Sequence, residues 1–364
     1  VEELRSLFSR GNYKELINLA TKVLIAEPEN REVLYLRGVA LQRTGNFEGS
    51  LEDLYQALRL EPTNLLVRDH IRQIHRRLVG QWHYDMMNDT PRNEAYKEAI
   101  ERIIEPGMTV LEIGTGSGLL AMLCAKKAKH VYTCERLAPI AKVAREIIKR
   151  NGFEGKITLI DKLSTAIQVG SEIPEKVDIV VGEIFGPALL EEQALYFFHD
   201  AKERLLKPGS KFLPNAARMF GCFVECPELS RKSIVKEVYG FNLSLFNALH
   251  DDPAVQANIT NYPHTFLTEN FDLCENIKFG EKASNNQIKK VEFKKSGILT
   301  GICQWFELYF DGTVLSTSPN APSTHWNQHI QLFENPVHVK KGDTLTFEVR
   351  QFSDRFSVRA IEIG

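Results

Sequence analysis

The chain has 364 residues, enough for two or three domains with a sizeable core, and is 43% hydrophobic and 25% charged. Lys and Arg number 45 against 47 Asp and Glu, so the net charge of −2 excludes nucleic-acid binding through bulk charge. No apolar run is long enough for a membrane-spanning helix, and no membrane partner is expected. The cysteines (Cys124, Cys134, Cys222, Cys226, Cys274, Cys303) are too sparse for a disulfide scaffold and lack zinc-site spacing. Reduced, buried thiols and no metal are the expectation. No signal-peptide segment opens the residues from Val1, and the expected location is intracellular, cytoplasm or nucleus.

The first element is a repeat. Gly11-Asn12-Tyr13 recurs as Gly45-Asn46-Phe47, and Glu27-Pro28-Glu29-Asn30 as Glu61-Pro62-Thr63-Asn64, both at an offset of 34 residues. That is the tetratricopeptide period, with Gly38 and Ala57 where paired helices pack closely and Pro62 where a helix stops. Residues 1–80 are therefore read as helical repeats, a form that presents a groove to a further protein.

Strand and helix signals alternate over residues 81–212. Thr109–Ile113, His130–Cys134, Lys156–Ile160 and Val177–Val181 read as strands, with helices over Leu119–Lys129 and up to Arg150. This order predicts a parallel, doubly wound sheet with its site at the strand C-termini. From 213 to 364 the pattern becomes antiparallel: Ile302–Phe310, Leu345–Val349 and Phe356–Ile363 are strands, with turns at Asp311-Gly312 and Lys341-Gly342-Asp343. A barrel or sandwich is expected, interrupted by an insertion over 225–270.

Glu112-Ile-Gly114-Thr-Gly116-Ser-Gly118 follows a strand and opens a helix, where glycines let a ligand approach the backbone. Glu135 comes 21 residues after Gly114, placed to accept hydrogen bonds from both ribose hydroxyls of a nucleoside. Leu119 stands where the dinucleotide fingerprint has its third glycine, and an acid before Gly-x-Gly-x-Gly suits S-adenosylmethionine, which has no pyrophosphate. After the fourth strand come Glu183 and, nine residues later, Glu192. Converging carboxylates match the planar fork of a guanidinium, but on spacing alone an exposed acidic helix face is the preferred reading of Glu191-Glu192.

Four separated motifs carry a resemblance to the protein arginine methyltransferases over residues 81–364. Met86-Met-Asn-Asp89-Thr-Pro-Arg92 resembles the family's Met-x-x-Asp-x-x-Arg helix, and Val110–Gly118 its first cofactor motif. The segment Glu183 to Glu192 resembles its double-glutamate loop, and Thr324-His325-Trp326 its Thr-His-Trp loop. Val238-Tyr-Gly-Phe-Asn-Leu243 resembles part of its dimerisation arm, at about 225–260, and the repeats are similar to those of the tetratricopeptide-bearing branch.

The resemblance implies a class I, Rossmann-like methyltransferase domain and a β-barrel with an inserted arm. It implies methyl transfer from S-adenosylmethionine to an arginine of a protein substrate, leaving S-adenosylhomocysteine. Glu183 and Glu192 would hold the guanidinium, Asp89 and His325 would pair across the domain junction, and Arg92 would bind the cofactor's carboxylate. Met86, Glu112, Gly114, Gly116, Gly118, Glu135 and Ser164 would complete the cofactor site. Ser164 stands where the family often has an acid for the adenine amine, and only Trp82 and Tyr84 represent the usual aromatic helix. Relatives bearing repeats carry two methyltransferase modules and this chain carries one, so the expected pair is a homodimer through the arm or a pseudo-dimer with a second module. The branch implies monomethyl and symmetric dimethyl product, whereas Met86 occupies a position that asymmetric enzymes typically give to methionine. A catalytically silent scaffold is the rival reading.

Overall fold

The computed structural model describes residues 1–249, 253–281 and 286–364. It divides into two compact units, Val1–Tyr84 with Leu137–Lys142, and Asp85–Arg136 with Val143–Gly364. No helix among the described residues is long and apolar enough to cross a membrane.

The first unit is helical: α1 (Glu2–Ser9), α2 (Tyr13–Ala26), α3 (Arg31–Arg43), α4 (Phe47–Leu60) and α5 (Leu65–Leu78). The helix pairs repeat at the sequence offset of 34, since α2 and α4 start at 13 and 47, and α3 and α5 at 31 and 65. Asn30 and Asn64 cap the second helix of each pair, accepting from the Val33 and Val67 N–H groups at 3.2 and 3.1 Å. Gly38 lets α3 and α4 approach: a Cβ there would lie 2.9 Å from Leu54 Cγ, and the buried Ser50 hydroxyl donates to the Gly38 carbonyl at 2.6 Å.

Next in chain order come α6 (Trp82–Met87) and α7 (Thr90–Ile103). There follow β1 (Thr109–Ile113), α8 (Leu119–Ala125), β2 (His130–Cys134), α9 (Ala138–Arg150), β3 (Ile157–Ile160), β4 (Val177–Gly182), α10 (Ala194–Arg204) and β5 (Leu206–Leu213). The strands form one parallel sheet in the order β3-β2-β1-β4-β5. Its order reverses at β1, so the crevice between the C-terminal ends of β1 and β4 is the topological switch point, where such sheets bind ligands. All six cysteines are buried and reduced.

The remaining elements are antiparallel: β6 (Ala216–Glu225), helix α11 (Pro227–Ser233), β7 (Glu237–Val238), β8 (Phe241–Asn242), β9 (Ala254–Ala257), β10 (Thr265–Phe266), β11 (Phe271–Lys278), β12 (Gln287–Glu292), β13 (Gly297–Tyr309), β14 (Val314–Ser316), β15 (Gln328–Val339), β16 (Thr344–Gln351) and β17 (Phe356–Ile363). One sheet runs β10-β6-β13-β15-β9 with β11 and β14 alongside, a second runs β12-β16-β17, and β7 and β8 form a hairpin by themselves. The insertion is narrower than the expected 225–270, because β9 pairs with β15 and β10 with β6. Residues 250–252 of the expected arm lie outside the described residues.

The two barrel sheets meet through a side chain. The buried Gln331 amide of β15 accepts from the Val358 N–H of β17 at 2.8 Å and donates to the Val358 carbonyl at 3.0 Å. One glutamine thus supplies the rung that a strand backbone would. A single apolar core runs from the parallel sheet through Tyr96, Phe310 and Trp326 to Phe347 and Phe356, with Tyr96 and Phe310 edge-to-face at 4.8 Å. The barrel and the parallel sheet therefore share a core across the expected boundary at 212/213. Gln331→Leu leaves both Val358 groups unpaired and should destabilise the unit by ~1–3 kcal/mol, read as a lower urea midpoint at an unchanged slope.

Candidate active site

Glu112, Gly114, Gly116, Gly118 and Glu135 all gather at the switch point. Burial of the Glu112 carboxyl beneath the glycine loop outweighs its hydrogen bonds, and its pKa is pushed up to about 8. It accepts from the Ala121 N–H at 3.1 Å and from the Thr133 hydroxyl, so it fastens the start of α8 to β2 from below. The Thr115 hydroxyl joins Thr133 at 2.6 Å. Gly116 has a left-handed φ of +52° with open space where a Cβ would stand, and its N–H donates to Glu135 Oε2 at 3.2 Å. The loop thus offers bare backbone beside an acid. Ser164, in the turn after β3, is buried with a hydroxyl that finds no hydrogen-bond partner among the described residues.

The segment from Glu183 to Gln193 is a folded loop and not an exposed helix face. Leu189 and Gln193 both have positive φ (67° and 59°), an uncommon conformation for side chains of this kind. Gly186 makes that fold possible, since a Cβ there would come within 2.0 Å of Glu191 Oε2. The two neighbouring acids have separate tasks. Glu191 accepts from the Ala188 N–H at 3.0 Å and from the Gln256 amide at 2.8 Å, which pins the loop on itself and on β9. Glu192 has no such bond among the described residues and reaches solvent at the loop's edge. Protein packed around its carboxyl, with the charges of Glu183 and then Glu191, pushes its pKa up to about 7.

Asp89 organises the opposite wall. It caps α7 by accepting from the Arg92 N–H at 3.0 Å. Its other oxygen accepts from the His325 N–H at 2.7 Å and faces His325 Nδ1 at 2.8 Å. Burial opposes its charge, but these bonds prevail and hold it below the ordinary carboxylate range. An ionised Asp89 is acceptor-only, so Nδ1 carries the proton. One turn into α7, Arg92 is buried and donates through Nη2 to Glu183 Oε2 at 2.6 Å and through Nη1 to Asn93 at 2.7 Å. Its buried Nε has no hydrogen-bond partner among the described residues. Met86 is half-buried just before the cap.

Several contributors carry no motif of their own. Tyr96, one turn after Arg92, lies 5.3 Å from its guanidinium and donates to the Gly182 carbonyl at 3.0 Å, fixing the end of β4. Its i+4 spacing from Arg92 was the only available signal. Gln256 and Thr133 act through long-range contacts that no local pattern announces. Trp326, expected to pack, does so and also donates from Nε1 to the Phe185 carbonyl at 2.7 Å, holding the loop after Glu183.

Residues 215–363 match a family model described as the arginine methyltransferase oligomerization subdomain, and residues 97–213 one described as ribosomal protein L11 methyltransferase (PrmA). An arginine N(omega)-methyltransferase from Streptomyces achromogenes subsp. streptozoticus is 36% identical over 335 residues, covering 89% of this chain and 91% of that one. The chain belongs to the arginine methyltransferase family. Like the family, it is an S-adenosylmethionine-dependent enzyme. Protein arginine N-methyltransferase 9 of Xenopus laevis is 29% identical, covering 94% of this chain but 46% of that protein, so this chain spans about half its length. The fold matches the Trypanosoma brucei PRMT1 enzyme-prozyme complex with AdoHcy at a TM-score of 0.66 and 24% identity, over 77% of this chain and 98% of that one. It also matches Arabidopsis thaliana protein arginine methyltransferase 10 at a TM-score of 0.62 and 23% identity, over 73% and 86% of the two chains.

Glu192 is neutral below its raised pKa and anionic above it, so attraction of a cationic acceptor grows as pH rises. The kcat/KM for acceptor should climb between pH 6 and 8 with an apparent pKa near 7, and Glu192→Gln should flatten that rise. A wild-type profile already flat across this range would refute the assignment.

Proposed function

We propose that this chain methylates a terminal guanidino nitrogen of arginine in polypeptide substrates, with Glu183 and Glu192 holding the guanidinium. The observation that carries this reading is the division of labour in the loop: Glu191 is consumed by internal bonds, whereas Glu192 and one oxygen of Glu183 are left uncommitted among the described residues.

The residues fit the cofactor. Buried Arg92 Nε and Ser164 Oγ lack partners among the described residues, and the space above Gly116 is open. Arg92 would hold the cofactor's carboxylate and Glu135 its ribose. Gly114, Gly116 and Gly118 supply close backbone, Met86 a flexible thioether wall, and Glu112 the support beneath. When bound, S-adenosylmethionine supplies an electrophilic methyl. Arg92 holds Glu183 in a fixed orientation, so that Glu183 meets a planar guanidinium without reorganising. The two acids draw positive charge to one side of the acceptor and leave the other terminal nitrogen the richer nucleophile. Arginine enters protonated and releases a proton during or after transfer. Glu192, with a pKa near 7, is matched to receive it. The bond from His325 N–H to Asp89, made whatever the ring's protonation, favours a positioning role for this pair over a proton relay.

The paired helices of the first unit support a tetratricopeptide reading and a further protein partner. From that branch we infer monomethyl and symmetric dimethyl product, with asymmetric dimethylation or arrest at monomethyl as the alternatives that the position of Met86 keeps in play. A second reading of the acceptor comes from the Streptomyces relative, whose name specifies arginine and its ω nitrogen: free arginine as substrate. The hairpin of β7 and β8 supports self-association. Tyr239 at its tip is 97% exposed with a strained φ of 50°, and Phe241, Leu245, Phe246 and Leu249 are exposed beside it. Such a face suits a second copy of the chain.

Glu183→Gln should lower kcat at least ~100-fold with cofactor binding retained by calorimetry, and an unchanged rate would sink the clamp. Incubation with labelled cofactor and either arginine-rich peptides or free arginine, followed by hydrolysis and separation of methylarginines, identifies acceptor and product together. Label only on free arginine would replace the polypeptide reading, and asymmetric product would replace the branch assignment. Tyr239→Ser combined with Phe246→Ser should shift the sedimentation coefficient from dimer to monomer, and an unshifted dimer would exclude the arm.

A further inference from the structure

The C-terminal strands border an open concavity that the catalytic reading does not use. It has a volume of about 500 Å³ and is walled by Phe333, Arg350, Phe352, Arg355, Ser357 and Arg359. Arg350 and Ser357 face each other across β16 and β17, and Arg359 lies opposite Glu348, so these groups share one face of the pair. Phe352 is exposed at the rim, with the Arg355 guanidinium 4.9 Å from its ring centre. Glu348 and Asp354 each pair with one guanidinium, Arg350 at 2.8 Å and Arg355 at 3.1 Å. Arg359 forms no ion pair among the described residues, and the buried Nε of Arg350 has no hydrogen-bond partner. The wall therefore presents three guanidinium groups, and among the described residues one Arg350 donor is turned to no acceptor.

Its position relates it to the glutamate loop. Glu191, the neighbour of Glu192, bonds to Gln256 of β9, which pairs with β15, and β15 carries Phe333 of the pocket wall. A cationic, aromatic-rimmed pocket thus stands beside a loop built to attract cations. Opposite charge preferences at neighbouring places are selective for an acceptor that carries both signs.

We propose that this pocket is an acceptor subsite that takes an acidic side chain, Asp or Glu, flanking the target arginine in a polypeptide. The volume exceeds what a lone carboxylate fills and accommodates a side chain with its adjoining backbone. Guanidinium forks supply charge-assisted bonds to the carboxylate, and the Phe352 and Phe333 rings cover the chain on either side. The inference rests on the polypeptide reading above and narrows its substrates to arginines with acidic neighbours.

Two measurements separate this inference from the reading beneath it. In the first, kcat/KM is compared for arginine peptides that differ only in Glu or Gln, moved one position at a time along both flanks of the arginine. At one or more positions the acidic peptide should be favoured about tenfold through KM, and Arg359→Gln combined with Arg355→Gln should remove that preference while the Gln peptides keep their wild-type kcat. In the second, binding of the acidic peptide with its target arginine replaced by norleucine is followed by calorimetry, and the double variant should weaken it by a similar factor. Methylation of every peptide without regard to its flanks would overturn the subsite and leave the activity standing. Absence of peptide methylation, with norleucine-peptide binding still sensitive to the double variant, would overturn the polypeptide reading and leave an acid-binding pocket. Binding that is absent, or equal in wild type and variant, would overturn the pocket. Free arginine methylated faster than its carboxyl amide, with the difference abolished by the double variant, would reassign the pocket to an α-carboxylate and overturn the side-chain proposal.

Discussion

The carboxylate of Asp89 joins three parts of the site with two oxygens. One oxygen ends α7 by accepting from the Arg92 N–H, and the other takes both donors of His325 from the barrel loop. Because the cap sets where α7 begins, it also sets where Arg92 projects one turn later, and Arg92 in turn orients Glu183. The helix start, the barrel loop and the acid after β4 are therefore one mechanical unit. Such a hub tolerates burial because each lone pair that matters is met by a donor.

Charge balance around the switch point follows from that arrangement. Glu112, Glu135, Glu183 and Glu192 lie in one neighbourhood with the buried guanidinium of Arg92 among them. The protein meets the surplus in different ways. Glu112 is carried up toward neutrality by burial, Glu135 is met by a backbone N–H, Glu183 is paired, and Glu192 alone is left poised near neutral pH. Titratable groups whose environments are pushed apart in this way mark sites where charge and protons are handled. The strained backbone at Leu189 and Gln193 is the local cost of turning Glu192 away from the self-contacts that occupy Glu191.

The barrel contributes to the site by closing on itself and by sharing a core with the parallel sheet. Gln331 replaces a backbone rung between its two sheets, and Phe310 and Trp326 insert into the core beneath the glutamate loop. Trp326 also binds the Phe185 carbonyl, so the barrel holds the loop by a directed bond as well as by packing.

Local features were legible in the sequence. The 34-residue helix period, the strand–glycine–helix passage at Gly114 to Gly118, the acid after β2 and the hairpin strands at 344–351 and 356–363 all depend on short-range patterns of burial and turn chemistry. Spacing left Glu191 and Glu192 indistinguishable, and it read β9 and β10 as part of an insertion. Their roles are decided by partners far along the chain: Gln256 for Glu191, β15 for β9 and β6 for β10. Motif resemblance named Asp89, Arg92 and His325, yet the pairing of Arg92 with Glu183 and the internal use of Glu112 emerge only once α7 is laid against the sheet. The sequence by itself determined the elements, because helix caps, glycine turns and apolar periodicity act within a few residues. Tertiary structure alone decided which carboxylate stays available, because hydrogen bonds and raised pKa values are set by whatever distant residues fold up beside it.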